Sequence, residues 1–147
     1  MSVKPIPDGY PAVIPYLMVP DAERFIAFLS TVFCARLTEQ LRRPDGKIGH
    51  TEVRVGDSMI MLSETAEGYP ATPVMLHFYV DDVDATFRRA VAAGGTVVAE
   101  PTNQFYGDRS GGVKEPSGNT IWIATRVEDV ASDELHRRAA QAMAKGG

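Results

Sequence analysis

The chain has 147 residues, 44% hydrophobic and 23% charged, with a net charge of −4; it has the size and composition of a soluble globular protein that can bury a core. That acidic balance gives no footprint for nucleic acid or an anionic membrane, and neither a spanning apolar run nor a signal-peptide core is present. A single cysteine, Cys34, excludes an intrachain disulfide framework and fits a reducing cytoplasm, the expected location.

Residues 1–11 hold three prolines and a glycine and read as an irregular lead-in. A first strand spans about 12–19. The following helix, about 21–33, sets Phe25, Phe28, Leu29 and Val32 on one stripe, with Cys34 expected as a small buried residue at its end. Leu37–Arg42 reads as a strand entering the Pro44-Asp45-Gly46 turn. Along the next strand, Ile48–Val55, Thr51, Val53 and Val55 take one side while His50, Glu52 and Arg54 take the other. That polar side is either solvated or the lining of a pocket. Gly56–Leu62 closes the first module, and the polar stretch 64–73 links it to the next.

Residues 74–95 repeat the phrase that opened the chain. Val74–Val80 suits a strand with Met75, His77 and Tyr79 on one face, and Val83, Phe87, Ala90 and Val91 then recur at helical spacing up to Gly94-Gly95. Val19-Pro-Asp-Ala aligns with Val80-Asp-Asp-Val, which sets Tyr16 where the second copy has His77. A strand over 96–100 is expected to break at Pro101. The aromatic, Gly-rich stretch 104–112 reads as a loop, with Gly111-Gly112 in the hairpin before a closing strand at 118–123. A helix of about 133–144, capped by Ser132, ends the chain and carries an exposed His136. The pattern predicts an α+β protein of two βαβββ modules, 12–63 and 74–130, with 131–147 as C-terminal helix and tail, and curved mixed sheets that enclose a cleft.

An imidazole inside the apolar strand at His77 requires a partner, and an acid–base pair of His77 with Glu52 or Asp108 is the arrangement most open to catalysis. No Gly-x-Ser-x-Gly elbow and no Walker Lys-Ser/Thr occurs, so nucleophilic serine chemistry and phosphate cradling lack support.

The phrases Pro15-Tyr-Leu-Met-Val19, Pro44-Asp-Gly-Lys-Ile-Gly-His50, Gly56-Asp-Ser-Met-Ile-Met-Leu62, Gln104-Phe-Tyr-Gly-Asp-Arg-Ser-Gly111 and Ala124-Thr-Arg-Val-Glu-Asp-Val130, in that order, resemble the vicinal-oxygen-chelate superfamily. It comprises glyoxalase I, bleomycin-resistance proteins and extradiol dioxygenases, and the resemblance is nearest to its PhnB-like branch. It covers about residues 10–130 and implies homodimers. It also implies a divalent metal held by one residue from each of four strands, usually two histidines and two glutamates. Carried over, those positions are Tyr16, Met61, His77 and Trp122, of which only His77 is an ordinary ligand. The resemblance therefore implies a cofactor-free binder of a planar small molecule. Tyr16, Phe105, Tyr106 and Trp122 would stack on it beside Met61, and His50, Glu52, His77 and Arg109 would orient it. The alternative is a glyoxalase-like lyase, isomerase or dioxygenase with a shifted metal site at His50, Glu52 and His77.

Overall fold

The computed structural model describes residues 2–146. Among them the chain runs β1 (Tyr16–Val19), α1 (Ala22–Phe33), β2 (Arg36–Arg42), β3 (Ile48–Val55), β4 (Ser58–Glu64), β5 (Met75–Tyr79), α2 (Val83–Ala92), β6 (Thr96–Asn103), β7 (Asp108–Lys114), β8 (Thr120–Arg126) and α3 (Ser132–Ala144). Two units result. The first runs to Val74 and takes in Pro116–Gly118; the second holds Met75–Glu115 and continues from Asn119. Each is one βαβββ module with a four-stranded sheet, ordered β1-β4-β3-β2 in the first and β5-β8-β7-β6 in the second. In both, the opening strand pairs in parallel with the closing one and all other pairs are antiparallel. The α+β reading and the two βαβββ modules are therefore observed.

In the first unit α1 buries Phe25, Phe28, Leu29 and Val32, as its stripe predicts, against the side of the sheet bearing Leu17, Val19, Val53 and Leu62. Each such side chain contributes about 1.5–3 kcal/mol on leaving water. The start of α1 is tied to the sheet by charge. Glu64, at the end of β4, accepts the backbone N–H groups of Asp21 and Ala22 at 2.8 Å each. A carboxylate there meets both the unpaired donors and the positive end of the helix dipole. At the other end stands the first correction. Cys34 is exposed rather than buried, because it ends α1 in the left-handed region (φ 56°) with its N–H on the carbonyls of Leu29 and Ser30. The chain turns out of the helix at that residue.

The second unit departs from expectation at three places. β6 passes through Pro101 to Asn103 instead of stopping at 100. It is an edge strand with irregular register between Ala99 and Thr102, so no ladder hydrogen bond is asked of the proline nitrogen. Stretch 104–112 is mostly not a loop. Only 104–107 turns, and Gly111 and Gly112 lie inside β7. Neither position leaves room for a side chain. A Cβ on Gly111 would meet Phe87 and the backbone of β6 at 3.0–3.1 Å, and one on Gly112 would meet the Trp122 ring at 2.8 Å. Finally, α3 begins at Ser132 with Ala131 as its cap residue and no side-chain cap bond; none of its residues is fully buried, and His136 is exposed.

Replacing Glu64 by glutamine keeps one acceptor and removes the charge. We expect Glu64→Gln to cost about 1 kcal/mol of stability, read as a lowered urea midpoint at unchanged slope.

Candidate functional site

Side chains that register across a sheet share a face, so the pairings decide which site residues meet. In the first unit Tyr16 pairs with Met61, and Met61 with Glu52, which lines up three of the expected residues on the face opposite α1. His50, two positions from Glu52 on β3, joins them. A continuous hydrogen-bonded chain results. His50 Nε2 lies 3.1 Å from Glu52 Oε2, and His50 Nδ1 lies 2.9 Å from the Tyr16 hydroxyl, the two rings being stacked at 5.6 Å. Tyr10, in the lead-in, donates its hydroxyl proton to Glu52 Oε1. Arg54 holds Tyr10 in place, with its guanidinium 5.6 Å from the ring centroid and Nη2 donating to the Gly9 carbonyl at 2.9 Å.

The bond from Tyr10, followed by that from His50, pulls the Glu52 carboxyl below the usual glutamate range, and the same carboxylate raises the Tyr10 hydroxyl. Burial raises Tyr16. The carboxylate partners of Glu52 are thus Tyr10 and His50.

In the second unit His77 pairs with Trp122, and Trp122 with Gly112, on the face away from α2. The indole lies over Gly112, so the missing side chain makes its seat. Met75 and Tyr79 flank His77 on the same strand and are 67% and 64% exposed. The expected His77–Asp108 pair does not form. Asp108, only 2% exposed, accepts the Tyr79 hydroxyl at 2.7 Å and lies 3.6 Å from Arg126, while the His77 ring tilts against Tyr79 with centroids 4.8 Å apart. Accepting that bond, Asp108 raises the Tyr79 hydroxyl. Phe105 and Tyr106, in the β6–β7 turn, meet each other edge to face at 5.2 Å.

Arg109 is the clearest misplacement. It registers with Thr125, on the α2 side of the sheet, and clamps Asp84 of α2 through Nε at 2.9 Å and Nη2 at 3.0 Å, with Asn103 at 3.3 Å from Nη1. This bidentate pair lowers Asp84 and fastens the helix. Arg109 is therefore a structural clamp on the opposite face from His77 and Trp122.

The sequence reading missed Tyr10 and the Tyr79–Asp108–Arg126 cluster. Tyr10 sits 42 residues from its partner in an irregular segment, and no periodicity reaches it. Tyr79 shares a face with His77 by simple alternation, which was the available signal.

The profile of the Glyoxalase/Bleomycin resistance protein/Dioxygenase superfamily matches residues 12–123. The chain belongs to that superfamily. Uncharacterised proteins of Mycobacterium bovis and Mycobacterium tuberculosis are each 36% identical to it over 136 residues, covering 85% of this chain and 90% and 80% of theirs. Among solved structures, TioX from Micromonospora sp. ML1 is 25% identical with a TM-score of 0.67, over 80% of this chain and 100% of that one. A PhnB protein from Bacillus cereus shares the fold at 15% identity, with a TM-score of 0.65 over 78% and 99% of the two chains.

The residues at the superfamily's four metal positions do not fit a divalent ion. Trp122 has no lone pair to give, the Met61 thioether suits soft metals, and burial moves Tyr16 away from phenolate. Nor are His50 and Glu52 idle, since both imidazole nitrogens and both carboxylate oxygens are hydrogen-bonded. His77, the third member of the shifted set, belongs to the second unit. Among the described residues no three His, Cys, Asp or Glu side chains cluster at metal-binding spacing. None of the described helices is long and apolar enough to cross a membrane.

Because the Glu52 carboxyl is depressed in the folded state, its bonds add stability above the ordinary glutamate range. That contribution disappears as pH falls through the lowered folded value. The stability advantage of the native chain over Glu52→Gln, read from urea midpoints, is expected to be full at neutral pH and to shrink on acidification. An advantage that grows toward acid would contradict the assignment.

Proposed function

We propose that this protein binds a planar small molecule, in the manner of the bleomycin-resistance members of its superfamily, without using a metal. The observation that carries the reading is the face bearing His77 and Trp122. It presents an indole seated on a glycine, an imidazole with no hydrogen-bond partner among the described residues, and the exposed Met75 and Tyr79. Apolar area with a few polar groups is the usual lining of a ligand site, and indole stacking supplies affinity without a reaction step. Phe105 and Tyr106 add aromatic area in the same unit. The first unit has a face of its own, where Tyr16, Met61, His50 and Glu52 lie on the side of the sheet opposite α1 and offer directional hydrogen bonds to a ligand bound there.

Such faces are also suited to self-association. Tyr16, 48% exposed, leaves apolar surface in the first unit, and Met75 and Tyr79 do so in the second; a second copy of the chain would cover either face. A homodimer in the cytoplasm is therefore part of the proposal, the partner copy supplying the opposing wall for the ligand.

Two measurements test it. Protein purified without added metal, then incubated with Zn²⁺, Mn²⁺, Fe²⁺ or Ni²⁺, is expected to retain far less than one equivalent per chain and to bind 2-naphthol equally well with and without chelator. One tight equivalent, lost in His50→Ala or His77→Ala, would favour the glyoxalase-like metalloenzyme instead. Trp122→Ala is expected to weaken 2-naphthol binding roughly tenfold, the scale of one lost aromatic contact. A fall in melting temperature with unchanged affinity would remove the stacking role.

A further inference from the structure

The chain Tyr10–Glu52–His50–Tyr16 has a direction that can be worked out atom by atom. An ionised carboxylate only accepts hydrogen bonds, and two donors hold Glu52 in that form. Tyr10 gives its proton to Oε1. At Oε2 the neighbour is His50 Nε2, 3.1 Å away, so this nitrogen must carry the ring hydrogen. In a neutral imidazole Nδ1 is then bare, and the group 2.9 Å from it, the Tyr16 hydroxyl, is the one able to donate. Every proton from Tyr16 inward therefore points toward Glu52. The Tyr16 hydroxyl hydrogen is committed to the interior, and what remains on its exposed side is oxygen lone pair.

We propose that Tyr16 is a specificity-determining acceptor, held in that role by Glu52 through His50, and that the ligand is an aromatic molecule presenting a hydroxyl or N–H to it. This rests on the small-molecule reading above, taken at the first unit's own face, and narrows it there to phenols, indoles and aromatic amines. A carboxylate or carbonyl end meets no donor at Tyr16, and the negative charge of Glu52 behind it further opposes an anion. Met61, registered between Tyr16 and Glu52, supplies apolar surface beside the acceptor. Tyr10 is a positioning residue. By occupying Oε1 it leaves only Oε2 for His50, and Arg54 keeps it there.

Changing the carboxylate to an amide reverses the direction of the chain. In Glu52→Gln the Tyr10 hydroxyl still needs an acceptor, so the carbonyl oxygen turns to it and the NH₂ faces His50. Nε2 must then accept, Nδ1 carries the hydrogen and donates to Tyr16, and the Tyr16 proton is released outward. The preferred ligand end changes from donor to acceptor.

Matched probes read this directly in buffer alkaline enough to keep imidazole neutral. 2-Naphthol and indole are expected to bind the native chain about tenfold tighter than 2-methoxynaphthalene and N-methylindole, the scale of one hydrogen bond. Tyr16→Phe is expected to erase that difference, and Glu52→Gln to favour 2-acetylnaphthalene over 2-naphthol. Ring ¹⁵N shifts, with the His50 signals identified by their loss in His50→Gln, are expected to show a protonated Nε2 and a bare Nδ1 in the native chain and the reverse in Glu52→Gln. A bare Nε2 in the native chain overturns the inference whatever the variants do. Equal affinity for the paired probes, or a preference that survives Tyr16→Phe, overturns it while leaving small-molecule binding intact. Failure of every probe to bind overturns both readings.

Discussion

The parallel pairing of the first strand with the last in each unit is the constraint on which the rest depends. Parallel neighbours cannot be joined by a tight turn, so the chain must travel, and in both units it travels through a helix and two more strands before closing. The helix takes one face of the sheet. The opposite face is where the strand register brings Tyr16 beside Met61 and His77 beside Trp122. Side-chain chemistry on that face is consequently free to vary without touching the core, as a glance at the two units shows: tyrosine and methionine in one, histidine and tryptophan in the other.

What varies around these positions is how polarity is satisfied. In the first unit the charged group at the face is saturated: Glu52 has two donors, and its stability rests on contacts from a segment outside the sheet. In the second unit the corresponding place, Gly112, holds no side chain at all, and the space belongs to an indole. A carboxylate buried without donors would be costly, and a side chain at Gly112 would expel Trp122 from its seat. The halves of a repeated fold thus solve the same position with opposite chemistry.

Most of the architecture was legible because it is written in periodicity. The stripe Phe25, Phe28, Leu29, Val32 and the alternation along Ile48–Val55 announce their elements and faces, and the recurrence of Val19-Pro-Asp-Ala as Val80-Asp-Asp-Val announces the repeat. Where the reading failed, tertiary context had overruled a local signal. Pro101 lies on an edge where nothing needs its nitrogen. Gly111 and Gly112 are glycines because neighbours crowd them, not because the chain turns. Cys34 stands in a left-handed position more often given to glycine. Arg109 was read in a loop that orients a ligand, and only its place in β7, in register with Thr125, reveals that it faces α2. Tyr10 was out of reach altogether, since its role exists only once β3 is folded beneath it.

The seat of Trp122 has one more consequence. It is the sole tryptophan of the chain and it belongs to the second unit. Intrinsic emission excited at the red edge of the near ultraviolet therefore reports on that unit alone, whereas far-ultraviolet circular dichroism sums over both sheets. The protein carries a built-in optical label for one of its two halves. A denaturation followed by both signals resolves, without any modification of the chain, whether the duplicated halves melt as one cooperative body or in succession.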